Sequence, residues 1–137
     1  EFRLRHIASA HTPGDTFVWL ADSRVLFSGD IIYVARMLGV GPQSSITTWL
    51  DAFNATKSLN PKHIVPGHGP VTDLARAQAE TGDYLQYLRD EIGRIIDNGG
   101  SIFDATAIDQ SAFAHLEVYE QIKGRNAQQV FEQMEWE

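Results

Sequence analysis

The stretch His11–Asp30, HTPGDTFVWLADSRVLFSGD, is the part of the chain whose reading sets the fold class. It opens on turn chemistry, with Pro13-Gly14 unable to continue a regular element. Two runs rich in β-branched and aromatic residues follow, Thr16-Phe17-Val18-Trp19-Leu20 and Arg24-Val25-Leu26-Phe27-Ser28. Ala21-Asp22-Ser23 separates them, which predicts a β-hairpin with a three-residue loop. Gly29-Asp30 reads as the end of its second strand. Upstream, Phe2-Arg3-Leu4-Arg5-His6-Ile7 alternates apolar and polar residues and predicts a further short strand.

Downstream, Tyr33–Ser45 has no clear period and reads as a loop. Ser44 or Ser45 then caps a helix whose apolar stripe is Ile46, Trp49, Leu50 and Phe53, at helical spacing. Pro61 stops the chain after that helix. His63-Ile64-Val65 reads as a short buried strand, and Pro66-Gly67-His68-Gly69-Pro70 as a dense turn. From Leu74 the period changes. Thr81, Tyr84, Leu85, Leu88, Ile92, Ile95 and Ile96 share one face of a long helix that Asn98-Gly99-Gly100 ends. A third helix is predicted from Ser111 to Lys123, closed by Gly124. A fourth begins at Asn126, with Gln129 as a capping-box partner, and buries Val130, Phe131 and Met134. The first half is thus β-rich and the second α-rich, with no repeat, low-complexity tract or interdomain linker.

The length of 137 residues allows one domain with one modest core. The chain has no cysteine, which excludes disulfides and thiolate metal sites, so any metal must be held by His and carboxylates. The net charge of -7, with Lys and Arg scattered, argues against a nucleic-acid partner. No apolar run approaches the ~20 residues of a membrane span. Residues Glu1–His6 lack the apolar core of a signal peptide. A soluble protein of the bacterial cytoplasm or periplasm is the expectation, without a choice between them.

Three segments share a pattern in which an apolar run ends in Gly/Pro turn chemistry with a His or Asp at the junction. They are Ile7 to His11-Thr12-Pro13-Gly14-Asp15, Leu26-Phe27-Ser28-Gly29-Asp30, and Ile64-Val65-Pro66-Gly67-His68-Gly69. Strand ends open onto one rim of a sheet, so side chains distant in sequence can converge there. Glycine beside a ligand removes a side chain that would crowd an ion. Two imidazoles and a carboxylate suit zinc, iron or manganese. The plainer reading is three ordinary turns, and these residues alone leave both readings open.

The ordered set of motifs resembles the metallo-β-lactamase superfamily. His11-Thr12-Pro13-Gly14-Asp15-Thr16 looks like its third metal motif, Phe27-Ser28-Gly29-Asp30 like its fourth, and Val65-Pro66-Gly67-His68-Gly69 like its fifth, over roughly residues 1–72. The tail, with Gly124-Arg125-Asn126-Ala127 and Val130-Phe131, resembles the C-terminal extension of a subgroup associated with sulfur-oxidation and quinoprotein gene clusters. The resemblance implies an α/β fold, the C-terminal half of an αββα sandwich: residues 1–72 as half of the family domain and 73–137 as a helical extension packed on it. It implies metal ligands at His11, Asp30 and His68, with two zinc ions in the intact protein. A metal-bound hydroxide would attack an ester, thioester or amide-like bond of a small-molecule substrate.

The family's principal motif, His-x-His-x-Asp-His, is absent and would fall before Glu1. His6 and His63 have no His two residues away and are read as structural, as is His115. Asp15 is read as a turn cap. The expectation is therefore a chain that binds zinc weakly or not at all and is inactive alone. Its sheet face is expected to be uncovered and to seek a missing N-terminal segment or a homodimer partner. The loop Tyr33–Ser45, with Arg36, Met37 and Leu38, is either a substrate contact at the rim or a connector. Two other functions stay open: a non-catalytic interaction domain that retains the fold, and a glyoxalase-II-like thioesterase. A nuclease is disfavoured by the acidic charge.

Overall fold

The computed structural model describes residues 1–137. Strands β1 (Phe2–Arg5), β2 (Phe17–Leu20), β3 (Val25–Tyr33) and β4 (His63–His68) form one sheet in the order β1-β2-β3-β4. β2 and β3 pair antiparallel, as the hairpin chemistry predicts, and β1 pairs antiparallel with β2. β4 lies parallel to β3, and helix α1 (Ile46–Ser58) provides the crossover that a parallel neighbour requires.

Register fixes the two faces of the sheet. Phe17, Trp19, Leu26 and Ile64 point to one side and are buried. The stripe of α1 covers them: Ile46, Trp49, Ala52, Phe53 and Thr56 are buried, and the Trp49 indole N–H donates to the Ile31 carbonyl at 3.0 Å. On the other side lie Phe2, Leu4, Val18, Leu20, Val25, Phe27 and Val65, aligned across all four strands. Nothing covers this apolar face. Phe2 is 72% exposed, Leu4 69% and Phe27 43%.

The long helical run after Leu74 is one continuous path in three parts: α2 (Leu74–Ala77), a π-turn (Gln78–Gly82) and α3 (Asp83–Asp97). The π-turn lets Thr81 face inward, where its hydroxyl accepts from the Tyr33 N–H at 3.0 Å and donates to the Tyr33 carbonyl at 2.6 Å. Gly82 is required here, because a Cβ would lie 2.5 Å from the Phe53 ring and 2.5 Å from the Gln78 amide. Thr81, Tyr84, Leu85, Leu88 and Ile92 are buried as the periodicity predicts, and Gly99, at φ +72°, takes the chain out of the helix. Helices α4 (Ile102–Thr106) and α5 (Tyr119–Met134) complete the structure. One hydrophobic core joins the sheet, the loop after β3 and these helices.

Several sequence expectations need correction. The β2–β3 connection is four residues, Ala21–Arg24, with Arg24 in the left-handed region at φ 54°. Gly29-Asp30 does not end β3. The strand runs on to Tyr33, with its register to β4 shifting between Phe27 and Gly29 and again between Gly29 and Tyr33. Gly29 supplies the φ of +52° that the first irregularity needs. β4 likewise extends through Pro66-Gly67 to His68. Pro66 stands next to the register shift in β4, the edge strand, where a missing N–H is tolerated.

The tail departs most from its sequence reading. Ser101 and Asp104 build a reciprocal capping box that starts α4, which the periodicity missed in so short a helix. Ser111–Phe113 is a single 3-10 turn, and His115 lies in the turn after it. α5 passes straight through Gly124. Asn126 is no cap but a fully buried side chain in mid-helix. A helical glycine costs roughly 0.5–1 kcal/mol. Burial of Ala127, Val130 and Phe131 just beyond it outweighs that.

Candidate functional site

The irregular part of β3 is what builds the site. Asp30 projects from it, and His68 ends the neighbouring strand, so the His68 Nε2 lies 3.6 Å from the Asp30 Oδ1. Both side chains remain about one-third exposed, at 38% and 34%. Gly67 makes this approach possible. A Cβ there would lie 2.2 Å from the Asp30 Oδ1 and 2.6 Å from the Gly29 carbonyl oxygen. Gly69, at φ +98°, turns the chain away where a Cβ would meet the Val34 carbonyl at 2.2 Å. That position also sets a 3.0 Å hydrogen bond from the Val34 N–H to the His68 carbonyl.

His11 reaches the same place from the loop between β1 and β2. Asp15 ties that loop, accepting from the Thr12 N–H at 2.8 Å and the Thr12 hydroxyl at 2.9 Å, as its reading as a turn cap predicts. The Ser44 hydroxyl donates to the His11 carbonyl at 2.8 Å. The His11 Nδ1 lies 2.9 Å from the Gly39 carbonyl, so it is the nitrogen that carries hydrogen and Nε2 is left with a free lone pair. Holding one imidazole nitrogen on a carbonyl fixes both ring orientation and tautomer.

His11, Asp30 and His68 line one concavity of about 210 Å³. Tyr33 forms its floor between the two histidines. Its ring stacks on His68 at 4.6 Å and 20°, and its centroid lies 5.9 Å from that of His11. Burial, and next the Asp30 carboxylate, hold the Tyr33 hydroxyl well above the usual phenol range, so it stays protonated. Arg36 and Arg125 stand at the rim. His6 is not part of the site, its Nδ1 lying 2.8 Å from the Asp15 carbonyl. His63 is exposed on a separate concavity with Lys62 and Arg76, and His115 stands 3.6 Å from Glu80.

The donor chemistry fits a divalent ion in kind, with imidazole and carboxylate and no thiolate. It does not close in number. Asp30 and His68 form a pair, but no three His, Asp or Glu side chains stand close enough together to hold an ion. His11 faces the concavity without joining that pair into a coordination group.

The three metal motifs carry no signal for Tyr33, Gly39, Arg125 or Asn126. Tyr33 falls at the start of a stretch without a period, which reads as a loop. Gly39 acts through its carbonyl, and the other two residues lie in the tail. Of the loop residues Arg36, Met37 and Leu38, Met37 and Leu38 are fully buried and belong to the core, though Met37 also backs the concavity. Arg36 is the exposed one.

Comparison with known proteins agrees with this architecture. The family model described as the metallo-beta-lactamase superfamily matches residues 1–68. The beta-lactamase-like protein 2 homolog of Caenorhabditis elegans is 33% identical over 87 residues, 61% of this chain and 27% of that relative. The chain thus spans about a quarter of the curated relative it matches. Among solved structures, the metallo-beta-lactamase from Pontibacter korlensis aligns with a TM-score of 0.56 and 25% identity, covering 62% of this chain and 41% of that one. The DIM-1 metallo-beta-lactamase shares the fold at a TM-score of 0.55 and 24% identity, covering 63% and 41%. The chain, through residues 1–68, belongs to the metallo-β-lactamase superfamily.

Proposed function

We propose that this chain is the part of a metal-dependent hydrolase that supplies His11, Asp30 and His68 to its metal site, with further ligands coming from outside these 137 residues. The observation that carries the proposal is the convergence of three motifs on one concavity, with Asp30 and His68 at 3.6 Å over a glycine that admits no Cβ. A divalent ion, zinc foremost and iron or manganese with the same donors, would supply a water acidic enough to ionise near neutral pH and a positive centre for a developing oxyanion.

The chain's own groups hold this arrangement in readiness. The Gly39 carbonyl keeps the His11 Nδ1 occupied, so that Nε2 is the atom presented. The stacked Tyr33 ring fixes the plane of His68. Its hydroxyl remains neutral and does not compete as an anion for the same cation. Esters, thioesters and amide-like bonds are the substrates that such a site suits, since each develops negative charge on oxygen during hydrolysis. A glyoxalase-II-like thioesterase is one form of this reading.

Cobalt(II) titration of this chain, followed by its visible absorption, tests the proposal. Weak but saturable binding is expected, because the set is incomplete. Asp30→Asn and His68→Ala should each weaken it by at least about tenfold, since each removes a donor. Full binding by the double variant, or no saturable binding at any cobalt concentration, would sink the assignment. A tight stoichiometric site in the unaltered chain would show that the ligand set is complete and refute the outside ligands.

A further inference from the structure

The tail segment Gly124-Arg125-Asn126-Ala127 supplies none of the candidate metal ligands, yet it holds a fully buried amide in the middle of α5. Asparagine is a poor helix former, and a buried amide is costly unless its polar atoms are paired. Both polar atoms of the Asn126 side chain are. Its Oδ1 accepts from the Val40 N–H at 2.8 Å, and its Nδ2 donates to the Leu38 carbonyl at 2.7 Å and to the Tyr84 hydroxyl at 3.1 Å.

Two of these bonds go to the loop after β3, one on each side of Gly39. In extended chain the carbonyl of one residue and the N–H two residues on share an edge, while the groups of the residue between face the other way. Leu38 and Val40 present such an edge to Asn126, so the amide stands where a neighbouring strand would. The Gly39 carbonyl is turned the other way and meets the His11 Nδ1 at 2.9 Å. Leu38 and Val40 are fully buried, so water does not reach the groups that the amide serves. The tail grips the preceding residues in the same manner. The Glu117 N–H donates to the Ala35 carbonyl at 2.9 Å, and the Glu117 carbonyl accepts from the Met37 N–H at 3.1 Å.

The base of His11 is fixed by other groups. Its carbonyl accepts from the Ser44 hydroxyl, and the next residue, Thr12, is tied to Asp15. These contacts leave open the rotation of the imidazole ring and the choice of the nitrogen that carries hydrogen. The Gly39 carbonyl decides both.

We infer that Asn126 is a positioning residue for His11: it sets the Gly39 carbonyl, which holds the imidazole in its Nδ1–H form and leaves the Nε2 lone pair free. That Nε2 then serves a metal rests on the hydrolase reading, whereas the hold of Asn126 on the ring does not. The helical tail is on this account part of the site, although none of its side chains is a candidate ligand.

The test reads the tautomer of His11 in the metal-free chain, from ring ¹⁵N shifts in long-range ¹H–¹⁵N spectra at about pH 8, where ordinary histidines are neutral. The unaltered chain should show mainly the Nδ1–H form. Asn126→Ala should lower the ratio of Nδ1–H to Nε2–H about fivefold, as loss of one hydrogen bond implies. Asn126→Asp keeps the volume but should do the same, because a carboxylate has no hydrogen to donate to the Leu38 carbonyl. Tyr84→Phe removes the third partner of Asn126 and leaves both loop bonds, so it should keep the tautomer. That contrast separates the orientation of His11 from a general loss of stability. If neither Asn126 variant folds, hydrogen exchange in the unaltered chain decides. The Val40 N–H and the His11 Nδ1–H should then become labile at the same urea concentration. The inference is overturned by an Nε2–H form in the unaltered chain, by an unchanged ratio in a folded Asn126 variant, or by an equal loss in Tyr84→Phe. A His11 hydrogen that exchanges while the Val40 N–H stays protected would overturn it as well. The cobalt titration keeps the two readings apart. No cobalt binding with the tautomer response intact would refute the metal site alone, and an unmoved tautomer with cobalt binding intact would overturn the positioning role alone.

Discussion

Single residues here act mainly by what they allow or fix in another residue. Gly67 and Asn126 are the extremes. Gly67 contributes the absence of an atom, and Gly67→Ala would press a methyl group against Asp30 and the Gly29 backbone. We predict a loss of more than about 2 kcal/mol in urea unfolding, because the obstructing atoms include backbone that cannot rotate away. Asn126 contributes three buried contacts, to Leu38, Val40 and the Tyr84 hydroxyl. Asn126→Ala strands the first two, and a cost of about 3 kcal/mol is expected by the same measurement.

The two buried tyrosines also set a pH limit. Burial is the main cause that raises the hydroxyl pKa of both Tyr33 and Tyr84 above the ordinary phenol value. In the unfolded chain these groups lose protons near pH 10, whereas in the folded chain they keep them. The unfolded state then binds fewer protons, so stability falls as pH rises above about 10. Urea midpoints measured from pH 8 to 11 should decline at the alkaline end, and Tyr84→Phe should flatten part of that decline. An identical profile in Tyr84→Phe would assign the decline to other groups.

At the scale of elements, the informative ones are those whose ends differ from their local signals. β3 passes through Gly29-Asp30 because the chain beyond it, Ile31 and Ile32, is fully buried and carries the strand on. α5 passes through Gly124 for the same reason. The space around Gly124 is open, and its φ is not in the left-handed region. Gly124→Ala should therefore stabilise the protein by roughly 0.5–1 kcal/mol, seen as a rise in Tm. A drop in Tm would mean that the helix does break there, as its sequence suggests. The contrast with Gly67→Ala is a direct check, since one glycine is needed for its missing Cβ and the other is not. The π-turn belongs to the same class. It has no signature in the hydrophobic period, yet it delivers the Thr81 hydroxyl to both backbone groups of Tyr33.

For the whole molecule, the dominant fact is the uncovered face of the sheet. Phe2, Leu4 and Phe27 are exposed in a row that continues through Val18, Leu20, Val25 and Val65. Contiguous apolar surface of this kind marks an interaction site. We predict that it seats the second sheet of the sandwich, supplied by polypeptide outside these 137 residues. The solved relative from Pontibacter korlensis is matched over only 41% of its length, so such proteins carry more chain than is present here. In this chain alone the face should bind the dye ANS or self-associate in light scattering. Leu4→Lys with Phe27→Lys should abolish whichever occurs. A dimer that these changes dissolve would make a second copy the occupant, and a monomer that binds no dye would refute the interface. No helix is long and apolar enough to cross a membrane.

The hairpin, helix α1 and the inward face of α3 are legible in local signals alone: period-2 and period-3.6 apolar spacing, and glycine and proline at junctions. The candidate ligands His11, Asp30 and His68 stand at such junctions, and the ordered family motifs they resemble are what single them out. Tertiary structure alone decided where β3 and α5 end, because burial of the residues beyond an unfavourable glycine outweighs its cost. It alone brought Arg125 and Asn126, from the tail, to the loop that orients His11. Local signals carry no information about which distant backbone carbonyl will lie within reach of an amide. That depends on how α5 packs against the core, and it is through this packing that the tail becomes part of the site.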